Sequence, residues 1–313
     1  MKHSTDRLVN WDHGLLSEWL VKDKIYSCLI SVDQKIIYQF FKNKKMEKKQ
    51  HKVNSCTKSI TSSLIGIAFD KGMIPDLNTP IVDYFPSLLE DPDQKKQLIT
   101  IDHLLTMTAG FDWPEMGEWG GWPHMIHSQN WVKYVLERPL ITEPGQVMNY
   151  NSGCSQLLLA ILQKTTGQSA REFAVHHLFS QLGFSDLIWH EDPQGINIGG
   201  FGLHMTVHDL HKFGSLYVNN GTWGKKRLLS EEWIARTTEP KHLTYPGFGH
   251  YGRHWWVSEA PRIGKYYFAM GMGGQYCCII PSLGMNITII SDTYADTMKP
   301  LEMIQKILLQ QAF

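Results

Sequence analysis

Apolar residues along the chain follow a strand pattern near both ends and a helical pattern in between. Their spacing predicts a first helix over 10–22, and then strands over 25–31 and 35–41 joined by a polar two-residue turn. Near the other end, Tyr, Trp, Ile and Val are concentrated in four segments, which predict antiparallel strands over 250–257, 265–270, 275–281 and 286–291. A last amphipathic helix is predicted over about 297–312.

The middle of the chain has a different pattern. Between about 75 and 180, helical spacing alternates with Pro- and Gly-rich loops, and strand patterns are rare. The two strand groups most simply form one sheet, so the sequence predicts an α+β fold: an antiparallel sheet flanked by terminal helices, with a mostly helical inserted lobe. We expect residues 1–54 and 184–313 to form the sheet lobe and residues 55–183 the helical lobe, with the active site between them.

A predicted helix over 55–70 begins with a serine one turn ahead of a lysine, Ser55 and Lys58. Residues three apart lie on one helix face, so the hydroxyl and the amine can meet. A serine needs such a partner, because its hydroxyl attacks poorly at neutral pH unless a base accepts the proton. The four residues alone also fit an N-cap serine followed by a solvated lysine.

Composition excludes several classes of partner. The chain has 313 residues with 30 basic and 30 acidic side chains, so it lacks the charge of a nucleic-acid-binding protein. Its first twenty residues are too charged for a secretory signal, and no apolar run is long enough to cross a membrane. Five cysteines, an odd number, are typical of reduced thiols, which favours a cytoplasmic location. The expected partner is a small molecule; the oligomeric state is not specified.

Two further segments give Ser55 and Lys58 a context. The first is Tyr150-Asn151-Ser152-Gly153, which precedes an apolar helix, and the second is Gly-Met-Gly-Gly-Gln at 271–275, which enters a late strand. In order and spacing the three elements resemble the motifs of the serine β-lactamase and penicillin-binding protein superfamily, in its class C-like branch with a tyrosine in the second motif. Landmarks at 101–110, 143–145 and 200–206 extend the resemblance over most of the chain.

The resemblance implies roles for several residues. Ser55 would attack a carbonyl carbon to form an acyl-enzyme, and Lys58 with the phenol of Tyr150 would share the proton. The N–H groups of Ser55 and Gln275 would form the oxyanion hole, worth ~3 kcal/mol per donor in comparable enzymes. Neither a metal nor an organic cofactor is implied. A core position for Tyr150 is the alternative interpretation.

The chain departs from the family pattern at two places. Asn151 and Ser152 are exchanged relative to the usual order, so their contacts to lysine or substrate are expected to be rearranged. Met272, before Gly273 and Gly274, replaces the cation that would bind the carboxylate of a β-lactam or a peptide. This favours a neutral ester or amide as substrate, with the glycines as a side-chain-free edge for its approach. The alternatives are β-lactamase or D-amino-acid peptidase activity, and a binding protein that has lost turnover.

Other residues suggest chemistry that we do not expect. His204, His208 and His211 have helical spacing, but no carboxylate cluster accompanies them, so we predict no metal site. Cys56 is expected to pack behind the site. Trp119 and Trp122 flank glycines and are predicted to line a substrate pocket, with core packing as the competing interpretation.

Overall fold

A computed structural model describes residues 13–115, 121–184 and 187–310 of the chain. In these ranges the helices are α1 (His13–Lys22), α2 (Thr57–Asp70), α3 (Ile101–Leu105), α4 (Trp122–His127), α5 (Trp131–Leu136), α6 (Ser152–Thr166), α7 (Ala170–Ala174), α8 (Ser180–Leu182), α9 (Val207–Val218), α10 (Glu231–Thr237) and α11 (Lys299–Gln310). Short 3-10 turns include Asn54–Cys56, and a π-helical turn, Val175–Phe179, joins α7 to α8.

The strands are β1 (Ile25–Val32), β2 (Lys35–Phe41), β3 (His51–Lys52), β4 (Ile188–Trp189), β5 (Leu203–Met205), β6 (Thr222–Trp223), β7 (Lys226–Arg227), β8 (His242–Leu243), β9 (His250–Tyr251), β10 (Trp256–Ala260), β11 (Gly264–Gly271), β12 (Gln275–Ile280) and β13 (Met285–Ser291). In the described ranges, one antiparallel sheet has the order β2-β1-β13-β12-β11-β10-β9-β8. The predicted pairing of the early and late strands in one antiparallel α+β sheet is therefore confirmed.

The central strands of this sheet are covered on both faces. Every residue of β12 and β13 is buried. Successive residues of β12 point in opposite directions: the hydroxyl of Tyr276 donates to the carbonyl of Thr297 just before α11, whereas Sγ of Cys277 lies 3.7 Å from the carbonyl of Leu210 in α9. The terminal helices α1 and α11 also meet, with Nζ of Lys306 5.6 Å from the ring centre of Trp19. The expected flanking by terminal helices is thus present.

Two details of the strand prediction were wrong. The segment 250–257 is two short strands, β9 and β10, because the chain turns at His254, which has φ +63°. The ring of His254 is drawn inward by hydrogen bonds to the Leu105 carbonyl (2.8 Å) and to Oγ of Ser155 (2.9 Å). The small sheet β3-β5-β4 was not foreseen, because strands of two or three residues carry no readable period.

Helix α2 carries the candidate nucleophile motif and is almost completely buried, although it is rich in serine and threonine. Its hydroxyls are matched to backbone carbonyls of the surrounding segments. Ser59 donates to His254 (2.7 Å), and Thr61 donates to Gly199 (2.9 Å). Buried hydroxyls are stable only when paired in this way. The helix is therefore fixed in position by directional bonds as well as by apolar packing.

The described helices and the five cysteines bear on membrane association and on disulfide bonding. No helix among the described residues has the length and apolarity that a membrane span requires. All five cysteines are buried and unpaired. The fold is thus stabilised without a disulfide.

Helix α9 is held against the large sheet by a buried histidine. Nε2 of His211 lies 2.9 Å from Oγ of Ser31 in β1, and Nδ1 lies 2.9 Å from Oγ1 of Thr288 in β13. The side-chain amide of Asn286 donates to Nδ1 (3.2 Å) and to the His211 carbonyl (2.7 Å). Burial lowers the pKa of His211 to about 3, so the ring is neutral in the folded protein.

We expect His211→Asn to make the free energy of unfolding less dependent on acid. A histidine of the unfolded chain has a pKa near 6.5, whereas folded His211 stays neutral to about pH 3. Its contribution to stability is therefore complete above pH 6.5 and is lost as the pH falls, at about 1.4 kcal/mol per pH unit. Urea unfolding at pH 6 and pH 4.5 should show a smaller loss in this variant than in the wild type. The matched control is His176→Asn, at an exposed position. Equal slopes in wild type and His211→Asn would contradict the assignment.

Candidate active site

Ser55 and Lys58 meet where the turn before α2 passes into that helix. Ser55 lies in the 3-10 turn Asn54–Cys56, and Lys58 lies in the first turn of α2, so the α-helix proper begins two residues after the position predicted for it. Nζ of Lys58 donates to Oγ of Ser55 over 3.2 Å. Asn54 has φ +47°, an uncommon conformation for a residue other than glycine, directly before the serine.

Lys58 is enclosed by the protein, with only 1% of its surface exposed. Besides Ser55, its Nζ donates to Oγ of Ser152 (2.9 Å) and to the carbonyl of Gly200 (3.0 Å). Burial lowers the pKa of Lys58 to about 8, and the carboxylate of Glu115 opposes this shift. The amine is thus close to the ionisation range in which it can act as a base at neutral pH.

Tyr150 contacts both members of the pair. Its ring face lies below Lys58, with Nζ 4.7 Å from the ring centre, and it lines the same cavity as Ser55. The ring stacks on Trp256 at 5.5 Å. Burial raises the pKa of the phenol far above its ordinary value, with the hydrogen bond from Ser55 acting in the opposite direction. Lys58 thus lies over the ring face, and the buried phenol keeps its proton.

The two exchanged polar residues of the second motif have separate positions. The side chain of Asn151 accepts from the backbone N–H of Cys154 (3.1 Å) and caps α6. Ser152 instead projects its hydroxyl to Lys58. Of the two residues predicted to bind substrate here, Asn151 is engaged in the cap and Ser152 is engaged with the lysine.

The Gly-Met-Gly-Gly segment forms the turn between β11 and β12, where the sequence suggested a strand edge. Gly273 (φ +83°) and Gly274 (φ +81°) have backbone conformations that side chains disfavour, and a Cβ on Gly274 would lie 2.2 Å from Oγ1 of Thr293. Met272 is 53% exposed, and its carbonyl accepts from Nδ2 of Asn54 (2.6 Å). This bond ties the turn to the residue before Ser55.

Gln275, the first residue of β12, lies beside the same 3-10 turn. Its carbonyl is 3.5 Å from Sγ of Cys56, and its side chain is directed away to the Ser291 carbonyl (2.9 Å). The preceding strand approaches so closely that a Cβ on Gly271 would lie 2.3 Å from the Val53 carbonyl. The buried thiol of Cys56 therefore packs behind the turn that carries Ser55, as its helical position predicts.

A cavity of about 200 Å³ opens beside Ser55. Its described lining is predominantly aromatic and thioether, and consists of Ser55, Glu115, Trp122, Tyr150, Tyr245, Phe248, Trp256, Met270, Met272, Thr297 and Met298. No arginine, lysine or histidine is among these residues. The predicted pocket residue Trp122 does line it, whereas Trp119 lies outside the described residues.

Glu115 is the functional candidate that the sequence did not reveal. Its carboxylate accepts from the hydroxyl of Ser152, from the backbone N–H of Ser152 (2.9 Å) and from Nε1 of Trp113. A single acidic residue in a Pro-containing loop has no periodicity or motif that would mark it. The aromatic residues Tyr245 and Phe248 were missed for the same reason, since they lie on a loop whose path only the fold determines.

The histidines of the 200–211 region do not converge. His211 is bonded to Ser31 and Thr288 as described, His208 lies 5.8 Å from the ring of Phe41, and His204 faces His190 at 5.2 Å. Among the described residues, no three His, Cys, Asp or Glu side chains come together in a way that would hold a metal ion.

Comparison with known proteins finds similar chains among hydrolases. The curated 6-aminohexanoate-dimer hydrolase of Paenarthrobacter ureafaciens is 23% identical over 233 residues, which are 68% of this chain and 59% of that protein. The chain thus spans less than two thirds of the length of this relative. A structure from Bacillus anthracis, provisionally described as a 6-aminohexanoate-dimer hydrolase, has a TM-score of 0.81 at 22% identity, over 95% of this chain and 81% of that one. EstCE1, described as a hydrolase with promiscuous acyltransferase activity, has a TM-score of 0.79 at 16% identity, over 98% of each chain.

At these identities the structural similarities establish the fold alone. The family comparison goes further, because the model of the family described as Beta-lactamase matches residues 30–312, nearly the whole chain. Its match includes all three motifs that surround the cavity. The chain therefore belongs to the Beta-lactamase family.

Proposed function

We propose that this protein is a serine hydrolase that cleaves a small, uncharged ester or amide through an acyl-enzyme on Ser55. The observation that carries the proposal is the 3.2 Å hydrogen bond between Nζ of Lys58 and Oγ of Ser55, beside an apolar cavity that Ser55 and Tyr150 both line. A serine hydroxyl bonded to a buried amine, with a phenol beside them, is an arrangement that activates a serine.

Lys58 is the base in this proposal. Its pKa of about 8 leaves a usable fraction of neutral amine at pH 7, whereas burial keeps Tyr150 protonated. As Oγ of Ser55 forms its bond to the carbonyl carbon, its proton passes to Nζ of Lys58 and the carbonyl oxygen becomes an oxyanion. The N–H groups of Ser55 and Gln275 are the donors proposed for that oxyanion.

Collapse of the tetrahedral intermediate breaks the bond to the leaving group. As that bond breaks, the N–H of Lys58 that faces Ser55 returns its proton to the leaving oxygen or nitrogen, with the phenol of Tyr150 sharing in the transfer. A water molecule next attacks the acyl carbonyl, and the same groups reverse their roles, releasing the acid and restoring Ser55. No step requires a cofactor.

The cavity lining favours an uncharged substrate group. Aromatic rings and thioethers surround the space, Met272 occupies the position of the family's cation, and the charged side chain in the described lining is the carboxylate of Glu115. A carboxylate on the substrate would have no cation to pair with there, and burying it unpaired is costly. The relatives named for amide and ester hydrolysis are consistent with this class of substrate.

Two alternatives differ in their chemistry. β-Lactamase or D-amino-acid peptidase activity would use the same acylation machinery but has to bind a substrate carboxylate. A binding protein without turnover would retain the fold and not acylate.

A cytoplasmic location stays a prediction from the reduced thiols.

We expect Ser55→Ala and Lys58→Ala to abolish covalent labelling while leaving the fold intact. Intact mass after incubation with a fluorophosphonate, a p-nitrophenyl ester and benzylpenicillin measures this directly. The wild type should gain one adduct from the fluorophosphonate and turn over the ester. A folded wild-type protein that forms no adduct would favour the binding-protein alternative, and full labelling of Lys58→Ala would remove the lysine as base.

We expect kcat/KM for a p-nitrophenyl ester to rise with pH through the ionisation of Lys58. The neutral amine is the reactive form, and with a pKa of about 8 it is about a hundredfold scarcer at pH 6 than on the plateau. The measurement is a pH–rate profile from pH 6 to pH 10. An activity that decreases over this range would be inconsistent with a lysine base.

We expect Met272→Lys to increase acylation by benzylpenicillin about 10-fold or more, because it adds a cation at an exposed position beside the cavity. Met272→Leu is the matched control, since it changes shape without charge. Adduct formation followed by mass spectrometry gives the rate. If wild type already reacts with penicillin as fast as with the ester, the preference for uncharged substrates is wrong.

A further inference from the structure

A hydrogen-bonded chain joins the candidate base to an acidic residue outside the three motifs. Nζ of Lys58 donates to Oγ of Ser152 over 2.9 Å, and Oγ of Ser152 donates in turn to the carboxylate of Glu115. The carboxylate is held in place by the backbone N–H of Ser152 (2.9 Å) and by the indole N–H of Trp113. Ser152 and Trp113 are each 1% exposed, so the link between Lys58 and Glu115 is buried, and Glu115 itself borders the cavity.

The hydrogen bonds from Lys58 through Ser152 to Glu115 can be donated in one direction only. An ionised carboxylate accepts hydrogen bonds and donates none, so the one proton of the Ser152 hydroxyl is committed to Glu115. Its oxygen can then only accept from Lys58. The carbonyl of Gly200, 3.0 Å from Nζ, is also an acceptor only. Two of the three polar neighbours of the lysine nitrogen are therefore fixed as acceptors.

This direction determines where the neutral amine places its lone pair. A neutral lysine has two N–H bonds and one lone pair, and the two N–H bonds are required by Ser152 and Gly200. The remaining direction faces Oγ of Ser55 at 3.2 Å, from which the proton has to be taken. Without Glu115, the Ser152 hydroxyl could rotate and donate its proton to the amine, which would occupy the lone pair.

We propose that Glu115 is a positioning residue of this hydrolase: acting through Ser152, it directs the lone pair of Lys58 at Ser55. The proposal rests on the function proposed above. It also explains how a serine can stand at this position of the second motif. The hydroxyl of Ser152 could donate or accept a hydrogen bond, and the carboxylate of Glu115 makes it an acceptor for Lys58. Glu115 and Ser152 together form the acceptor that Lys58 requires.

The other groups around Lys58 do not substitute for Glu115. Within the described structure, the other titratable groups that face Lys58 are Cys56, Cys154, Tyr150 and His254. The two thiols and the phenol stay protonated, because burial raises their pKa values. The negative charge of Glu115 also raises the pKa of Lys58. Removing the charge of Glu115 should therefore lower the pKa of Lys58 and move the acidic limb of the pH–rate profile to lower pH. The plateau value of kcat should fall at the same time.

The test is a double-mutant cycle of Glu115→Gln and Ser152→Ala, measured with a fluorophosphonate and with p-nitrophenyl butyrate. Each single variant should lower plateau kcat and the labelling rate of Ser55 about 10- to 100-fold, with KM within about twofold of the wild type. In the Ser152→Ala background, Glu115→Gln should change kcat less than about twofold, because the residue through which it acts is gone. Glu137→Gln is the control, since it removes an exposed carboxylate that pairs with Lys133 and is not part of the described cavity lining.

Two results would overturn the proposal: full plateau kcat in Glu115→Gln, or the same loss from Glu115→Gln in both backgrounds. The second result would mean that the carboxylate acts on the reaction without Ser152. Ser152→Ala provides an independent readout if Glu115→Gln does not fold, because it should show the same loss. Failure of the proposed function itself is recognised separately, by a wild-type protein that turns over no ester or whose turnover survives Ser55→Ala.

Discussion

The burial of one lysine amine is the constraint on which the arrangement of this protein depends. Lys58 is almost fully enclosed, and a buried ammonium without partners would be strongly unfavourable. The chain meets this demand with one acceptor from the same turn, Ser55, and two from distant segments, Ser152 and the carbonyl of Gly200. The same partners that make the burial tolerable also aim the amine at the serine, so stability and the proposed chemistry have one structural cause.

Close backbone approach is the second requirement. Segments that surround Lys58 meet where no side chain fits: a Cβ on Gly199 would lie 2.1 Å from the Ser155 carbonyl, and one on Gly271 would lie 2.3 Å from that of Val53. These contacts bring the 199–200 loop to α6 and the β11 edge to the Ser55 turn. Gly199 and Gly271 are thus positions at which two backbone segments approach too closely for a side chain.

The specificity that we propose follows from what the cavity lacks as much as from what it contains. A lining of rings and thioethers stabilises apolar groups, and Met272 adds to it at the place where a cation would reverse the preference. The one acid in the described lining, Glu115, has its oxygens occupied by Ser152 and Trp113. It therefore acts, in our proposal, on the machinery and not on the substrate.

Much of this could be predicted from the sequence, because the relevant signals are local. The Ser55–Lys58 spacing, the Tyr150 motif and the period-two strands each depend on residues close together in the chain, and the order of the three motifs was enough to indicate the Beta-lactamase family, which the family comparison then showed. The α+β sheet with its terminal helices followed from the same patterns. The position of the third motif was readable too, although its turn conformation was not.

Only the tertiary structure decided which partners complete these local elements. Glu115 reaches Ser152 from 37 residues away, Gly200 reaches Lys58 from 142 residues away, and neither pairing leaves a periodic trace in the sequence. The neutral state of the Tyr150 phenol likewise results from its burial against Trp256 and not from its neighbours in the chain. The sequence by itself determined the fold and marked the Ser55–Lys58 pair as the proposed site, since these depend on local patterns. The protonation states and the directions of the hydrogen bonds depend on groups that only folding brings together.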